Sequence, residues 1–333
     1  LVESTDARVE SNPLRVEANS ALVEPVLLFK PRIVSKTVGM FRGTYTALVT
    51  PFQNDQIDEA AFERLIEFQI QNGITGIIPV GTTGESPTLD HEEHLRVIAL
   101  AVKVAKGRCQ VIAGTGSNST AEAISLSIEA EKVGADATLH VAPYYNKPTQ
   151  EGLYQHFKAI AAATKLPIIL YSIPGRCGIE IAVETVARLA KDCPRIVAIK
   201  EAGGTVERVN QLRQALPESF HILSGDDSLT LPFMASGAVG VISVASNIAP
   251  KEVGQLVQAA LDNDFAAARK IHERFYPLFK DLFIEPNPVP AKAALAWAGI
   301  INSPEVRLPL CAMTSANAAK VRATLDSLSL LPN

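Results

Sequence analysis

From Gly43 to about residue 244, short apolar runs alternate with segments of helical period, and this alternation constrains the fold more than any other property of the chain. The apolar runs fall at 44–50, 76–80, 110–113, 137–142, 167–171, 196–199, 221–223 and 239–244. Asp58 stands where it can cap a helix whose Phe62, Leu65, Ile66 and Ile70 share one face. Asp90 and Glu93 open a second helix over 90–106 with the spacing of a capping box, and a third is expected over 120–133. Eight such units of roughly 25 to 30 residues predict an α/β fold, a closed (β/α)8 TIM barrel. An open doubly wound sheet usually has fewer strands and a glycine-rich dinucleotide fingerprint after strand one. Here strand one runs into Pro51-Phe52-Gln53 instead. Gly114-Thr115-Gly116-Ser117-Asn118-Ser119 lacks the third glycine and follows strand three.

Past residue 261 the strands stop. Phe265, Ala268, Ile271, Phe275, Leu278 and Leu282 recur at helical spacing, with Pro277 an expected kink, and further helices are predicted over 291–298 and 315–328. The expected organisation is a catalytic barrel over 40–263 and a small all-helical domain over 264–333. Residues 1–39 mix acids, bases and isolated prolines without a sustained period, and Met40 directly precedes the first strong strand. Their acids, among them Glu3, Asp6 and Glu10, argue against a transit peptide, and the segment is expected to be a disordered N-terminal extension.

Composition narrows the function. The 333 residues carry a net charge of -4, which offers no electrostatic footprint for nucleic acid or an anionic membrane. No apolar run is long enough to span a bilayer. Cys109, Cys177, Cys193 and Cys311 form no C-x-x-C pair, and His91-Glu92-Glu93-His94 is not the H-E-x-x-H zinc pattern. The chain therefore reads as a cytoplasmic enzyme with reduced thiols, without metal and without cofactor.

Active sites of this fold lie at the C-terminal ends of the strands. Strand six ends in Ile199-Lys200-Glu201, which puts an amine at the rim of an apolar interior. Lost solvation lowers the pKa of such an amine, and its neutral form can attack a carbonyl to give an imine. Tyr171 ends strand five, one strand away, and can shuttle protons at that imine. Strand two ends in Gly81-Thr82-Thr83-Gly84-Glu85-Ser86, where flanking glycines let hydroxyls and backbone N–H groups approach a small carboxylate. Arg176, in Pro174-Gly175-Arg176, offers a planar fork for a second carboxylate. Strand four ends in Pro143-Tyr144-Tyr145-Asn146, and strand seven in Ser224-Gly225-Asp226-Asp227, whose acids would repel a phosphate. The chemistry expected is that of a metal-free class I aldolase.

The strings GTTGES at 81–86, AGTGSNSTAEAI at 113–124, PYYNKP at 143–148, YSIPGRCG at 171–178, IKEAGG at 199–204, LSGDD at 223–227 and EPNPVPAK at 285–292 closely resemble the 4-hydroxy-tetrahydrodipicolinate synthase (dihydrodipicolinate synthase) family, within the pyruvate-dependent class I aldolase superfamily. The resemblance runs from about Gly43 to Leu330. It implies condensation of pyruvate with L-aspartate 4-semialdehyde to 4-hydroxy-2,3,4,5-tetrahydrodipicolinate, on the diaminopimelate route to lysine. Lys200 resembles the Schiff-base lysine, and Tyr171, Thr82 and Tyr145 resemble its proton relay, with Tyr145 lent to the neighbouring subunit. Thr83 resembles the holder of the pyruvate carboxylate, Arg176 the receiver of the semialdehyde carboxylate, and Gly225 and Ile242 the pocket lining. Ser86, Leu89, His91, His94, Asn118, Glu122 and Tyr144 match the positions at which the family binds L-lysine as a feedback inhibitor. The resemblance also implies a homotetramer built from tight dimers. Ser172, Cys177 and Pro87 depart from the common pattern, and His91 matches the bacterial type. The alternative is a sister aldolase, N-acetylneuraminate lyase or a 2-keto-3-deoxy-sugar-acid aldolase, which shares the lysine and the strand-five tyrosine but generally lacks the arginine and the double tyrosine.

Overall fold

The computed structural model describes residues 41–332. The extension expected over 1–39 lies outside the described residues. Eight parallel strands close into a barrel: β1 (Gly43–Ala47), β2 (Gly76–Ile78), β3 (Gln110–Gly114), β4 (Ala137–Val141), β5 (Ile168–Ser172), β6 (Ile196–Glu201), β7 (His221–Ser224) and β8 (Gly240–Ser243). The first strand pairs with both the second and the last, so the sheet has no free edge. All eight predicted runs are strands of the barrel.

The pleat sorts each strand into two layers. Tyr45, Ile78, Ile112, Leu139, Ile169, Tyr171, Ala198, Leu223 and Ile242 form one buried cluster, inside the barrel. The alternate residues, such as Ile77, Val111, Ile168, Ile199, Ile222 and Val241, join a second cluster with the surrounding helices. Because both faces are buried, the strands read as unbroken apolar runs. Tyr45 fills the interior completely buried, and its hydroxyl donates to Gln110 Oε1 at 2.6 Å. A Cβ on Gly76 would sit 2.7 Å from that ring, so the neighbouring strand requires glycine there.

The helices between the strands are α1 (Glu59–Gln71), α2 (His91–Ala105), α3 (Thr120–Lys132), α4 (Gln150–Ala163), α5 (Val183–Asp192), α6 (Val206–Ala215), α7 (Thr230–Ala235) and α8 (Pro250–Leu261). Asp58 caps α1 by accepting from Ala61 N–H, and Asp90 and Glu93 complete the anticipated capping box on α2. Ser119, Thr149 and Thr205 cap α3, α4 and α6 in the same way.

Three helices follow the barrel elements: α9 (Phe265–Asp281), α10 (Val289–Trp297) and α11 (Ser315–Ser327). Pro277 lies inside α9, which runs on to Asp281. Side chains from this region reach back to the loop after β2 and to α2. Arg307 forms a bidentate pair with Glu93, both contacts at 2.6 Å, and Asn302 donates to Asp58 Oδ2 at 2.6 Å.

Strand β2 is shorter than the apolar run that announced it. The second run was expected to stay extended to residue 80, but Val80 turns into the left-handed region at φ 52° and begins the loop. The segment Pro51-Phe52-Gln53 belongs to a small antiparallel hairpin, Phe52–Gln53 with Gln56–Ile57, that alternation did not reveal. Phe52 is fully buried there, with Lys292 Nζ 4.1 Å and the Arg307 guanidinium 4.3 Å from its ring centroid.

Candidate active site

Lys200 is the fifth residue of β6 and lies in register with Tyr171 on β5 and Leu223 on β7. Parity places it with Ala198 inside the barrel, while Ile199 and Glu201 face the helices. Its side chain is 6% exposed and its Nζ lies 4.2 Å from the centroid of the Tyr171 ring. Burial pushes the ammonium pKa down to about 7; Asp227 opposes that shift and Arg176 adds to it. A large neutral fraction at pH 7 is what a nucleophilic amine needs.

Tyr171 is also buried, which pushes its phenol up to about 12. It therefore stays protonated at neutral pH and can both give and accept a proton through its oxygen. The Thr82 side chain lies near enough to act on that phenol, working against its rise. Thr82 and Thr83 sit on a tight loop that leaves β2. Gly84 and Ser86 N–H both donate to Gly81 O, and Glu85 N–H donates to Thr82 O. A Cβ on Gly84 would fall 2.9 Å from Val80 N, and Glu85 takes a left-handed φ of 55°. Thr83 is buried, and its Oγ1 accepts from Asn287 Nδ2 at 2.9 Å.

Gly225 follows β7 and packs on the lysine. A Cβ there would lie 3.0 Å from Lys200 Cε and 2.7 Å from Ala202 Cβ. Ile242 on β8 is buried in the inner cluster. Arg176 lies exposed on the helical turn Pro174–Cys177 after β5, near enough for its charge to act on both Lys200 and Tyr171. Tyr145 stands apart. It is 90% exposed, adopts φ 72°, and does not join the Lys200–Tyr171–Thr82 group of its own chain.

The positions expected to bind lysine gather beside α2 and α3. His91 Nε2 lies 2.5 Å from Glu122 Oε1, and Glu122 also accepts from Ser117. The Ser117 and His91 hydrogen bonds hold the Glu122 carboxyl below the usual range. Buried His94 contacts Gly114 O at 2.8 Å, and desolvation lowers its pKa. Asn118 Nδ2 donates to Tyr144 O at 3.2 Å, and Tyr144 is 37% exposed, with desolvation raising its phenol. Ser86 and Leu89 lie on the turn between the Thr82–Thr83 loop and α2.

Sequence reasoning missed several groups. Asp227 is buried, accepts from Val244 and Ala245 N–H at 3.0 and 2.9 Å, and bears electrostatically on Lys200. Ser117 links Glu122 with Tyr144. Glu201, next to Lys200, is locked on the outer face by Gly203 N–H at 2.7 Å and Arg208 Nε at 3.2 Å. Asn287 and Lys292 come from the C-terminal region. All of these except Arg208 lay inside motif strings already singled out, but nothing in the strings names a contact partner.

Residues 40–328 match the model of the dihydrodipicolinate synthetase family. The 4-hydroxy-tetrahydrodipicolinate synthase of a Sulfurihydrogenibium species is 54% identical over 292 residues, 88% of this chain and 100% of that protein. The synthase of Aquifex aeolicus is 52% identical over 291 residues, 87% of this chain and 99% of its own length. Among solved structures, the 4-hydroxy-tetrahydrodipicolinate synthase from Methylacidiphilum fumariolicum SolV superposes with a TM-score of 0.85 at 55% identity, covering 88% of this chain and all of that one. With a family model spanning nearly the whole described chain and relatives above half identity, this chain belongs to the dihydrodipicolinate synthetase family.

Proposed function

We propose that this chain condenses pyruvate with L-aspartate 4-semialdehyde to 4-hydroxy-2,3,4,5-tetrahydrodipicolinate, through an imine on Lys200, in lysine biosynthesis. The family and the common name of its relatives support the reaction. The observation that carries the chemistry is the buried Lys200 amine, with its pKa near 7, set against the Tyr171 ring.

The neutral amine adds to the pyruvate carbonyl carbon, and the carbinolamine loses water to give the imine. Tyr171 supplies and retrieves the protons, relaying them through the Thr82 hydroxyl. Loss of a methyl proton gives the enamine, which attacks the aldehyde carbon of the semialdehyde. The amino group of that substrate then adds to the imine carbon, closes the ring and returns Lys200 as the free amine. One water leaves overall, and no electrons are exchanged with another group.

Thr83 and the Gly81–Gly84 turn hold the pyruvate carboxylate, and Arg176 receives the semialdehyde carboxylate at the entrance. Gly225 and Ile242 line the pocket; Gly225 leaves the space that Lys200 needs. Tyr145 completes the relay in the neighbouring subunit, which accounts for so exposed an aromatic side chain. The assembly is a cytoplasmic homotetramer of tight dimers. The barrel, 40–263, carries the chemistry, and the helical region, 264–333, supports it. No helix among the described residues is long and apolar enough to cross a membrane.

L-Lysine is the effector at the Glu122, His91, His94, Asn118, Tyr144, Ser86 and Leu89 cluster. A solved dihydrodipicolinate synthase from Cyanidioschyzon merolae, 43% identical, has lysine bound, and one from Acinetobacter baumannii, 44% identical, is complexed with pyruvate.

The test pairs two measurements. Borohydride with pyruvate should irreversibly modify Lys200, located by peptide mass, and Lys200→Arg should abolish labelling. A coupled assay should show turnover with aspartate semialdehyde and none with N-acetylneuraminate. Labelling of another lysine, or cleavage of the sugar acid in its place, would refute the reading.

A further inference from the structure

The Thr83 hydroxyl, on the Gly81–Gly84 turn, meets the C-terminal region. Asn287 Nδ2 donates to its Oγ1 at 2.9 Å across 204 residues of sequence, and both residues are buried. A hydroxyl has one proton and two lone pairs. An N–H already directed at the oxygen leaves the Thr83 proton to be given elsewhere. Among the described residues no acceptor is paired with it. A carboxylate offers only acceptors, so a threonine turned in this way is set to donate to one.

The orientation of the Asn287 amide decides the direction of donation. With Nδ2 toward Thr83, Asn287 Oδ1 is a buried atom without a hydrogen-bond partner among the described residues. Turning the amide would place the carbonyl on Thr83 and strand the NH2 group instead. Unpaired buried N–H groups are the rarer and costlier case. The observed orientation is therefore the favoured one, and it fixes Thr83 as acceptor from Asn287.

The same segment holds the turn from a second side. Lys292 Nζ lies 2.6 Å from Glu85 Oε1, and Arg307 N–H donates to Glu85 Oε2 at 3.0 Å. Glu85 is two residues beyond Thr83 and has the left-handed backbone described above. Asn287 and Lys292 thus hold the turn at Thr83 and at Glu85 before any substrate arrives. A donor oriented in advance costs no reorganisation on binding.

We propose that Asn287 is a positioning residue for pyruvate: by donating to Thr83 Oγ1 it commits the Thr83 proton to the substrate carboxylate. This rests on the reading of Thr83 given above. Asn287 touches no reacting atom, so its effect passes through Thr83 alone.

The test is a double-mutant cycle on the full-length enzyme, with kcat/KM measured separately for pyruvate and for aspartate semialdehyde, and thermal unfolding followed in parallel. Asn287→Ala removes the donor. Asn287→Asp keeps the shape and replaces the donor by an acceptor that would capture the Thr83 proton, and it serves if the alanine variant folds poorly. Each should lower kcat/KM for pyruvate by about three- to tenfold, the size of one neutral hydrogen bond. The semialdehyde value should change less than about twofold, because both states of that step hold the carboxylate alike. In a Thr83→Val background the Asn287 changes should add nothing further.

An equal loss in both backgrounds would show that Asn287 acts by another route and overturn the proposal. So would an unchanged pyruvate value in both Asn287 variants while Thr83→Val lowers it; in that case the role of Thr83 would stand. If Thr83→Val itself leaves pyruvate use unchanged, the assignment of Thr83 fails and takes the proposal with it. Full activity in Asn287→Asp alone would mean that the side chain accepts from Thr83, which contradicts the proposed direction of donation.

Discussion

Lys292 Nζ lies 2.6 Å from Glu85 Oε1, across 207 residues of sequence, and neither side chain is more than 1% exposed. The pair joins α10 to the loop that carries Thr82 and Thr83. Such a pair gains little net energy over apolar packing, because both charges lose their hydration. Breaking one half is different, since it strands a buried charge. Lys292→Met should destabilise the enzyme by about 3–5 kcal/mol, read from denaturant unfolding at fixed protein concentration. Adding Glu85→Gln should recover part of that loss. A single mutant as stable as the wild type would show that Glu85 is compensated some other way.

The Lys200 amine sets a pH dependence. Burial lowers its pKa to about 7, so kcat/KM for pyruvate should rise with pH through that value. The same shift acts on stability. The unfolded chain holds this proton up to the ordinary lysine pKa of 10.5, and the folded one releases it near 7. Between those limits the unfolded state binds more protons, so stability rises with pH across that window. A rising limb displaced well above pH 8 would contradict the assignment of Lys200 as the attacking group.

Arg176 couples to that limb with a definite sign. Its positive charge disfavours the Lys200 ammonium, so Arg176→Ala should move the limb toward higher pH. Loss of its charge-assisted contact should also lower kcat/KM for aspartate semialdehyde by about 30- to 1,000-fold, with a much smaller effect on pyruvate. Equal damage to both substrates would mean that Arg176 only supports its loop.

Tyr145 provides a test of shared sites. Tyr145→Phe and Lys200→Arg should each be nearly inactive alone. Mixed and reassociated in equal amounts, half of the dimers would be hybrids with one intact site, so activity should return to about a quarter of the wild-type value. No recovery in mixtures shown by mass spectrometry to contain hybrid dimers would place Tyr145 outside the relay.

The proposed lysine site centres on Glu122, whose carboxylate is held between His91 and Ser117. Under saturating pyruvate, wild type should be inhibited by L-lysine. Glu122→Ala should lose that inhibition by about tenfold or more, as expected for one charge-assisted contact. Insensitivity of the wild type to millimolar lysine would remove the effector role and leave the catalytic assignments untouched.

What the sequence determined by itself was whatever depends on local order. The eight apolar runs between helical periods pointed to the barrel, because an open doubly wound sheet usually has fewer strands and a glycine-rich turn after strand one. The strand-end rule put Lys200 and Tyr171 at the ends of adjacent strands, and the register shift between Ile168 and Ile169 sets them opposite one another. The capping residues of α1 and α2 were legible because a cap acts within one helical turn. Only tertiary structure could decide the rest. Phe52 lies beneath Lys292 and Arg307, Asn287 donates to Thr83, and Asp227 ties the end of β7 to the segment after β8. These contacts join residues far apart in the chain, and their energies come from desolvation and direction, which depend on where a side chain is buried and what it faces. A string such as EPNPVPAK shows which groups are present, but only the closed barrel brings an amide from one end of the chain within 2.9 Å of a hydroxyl near the other.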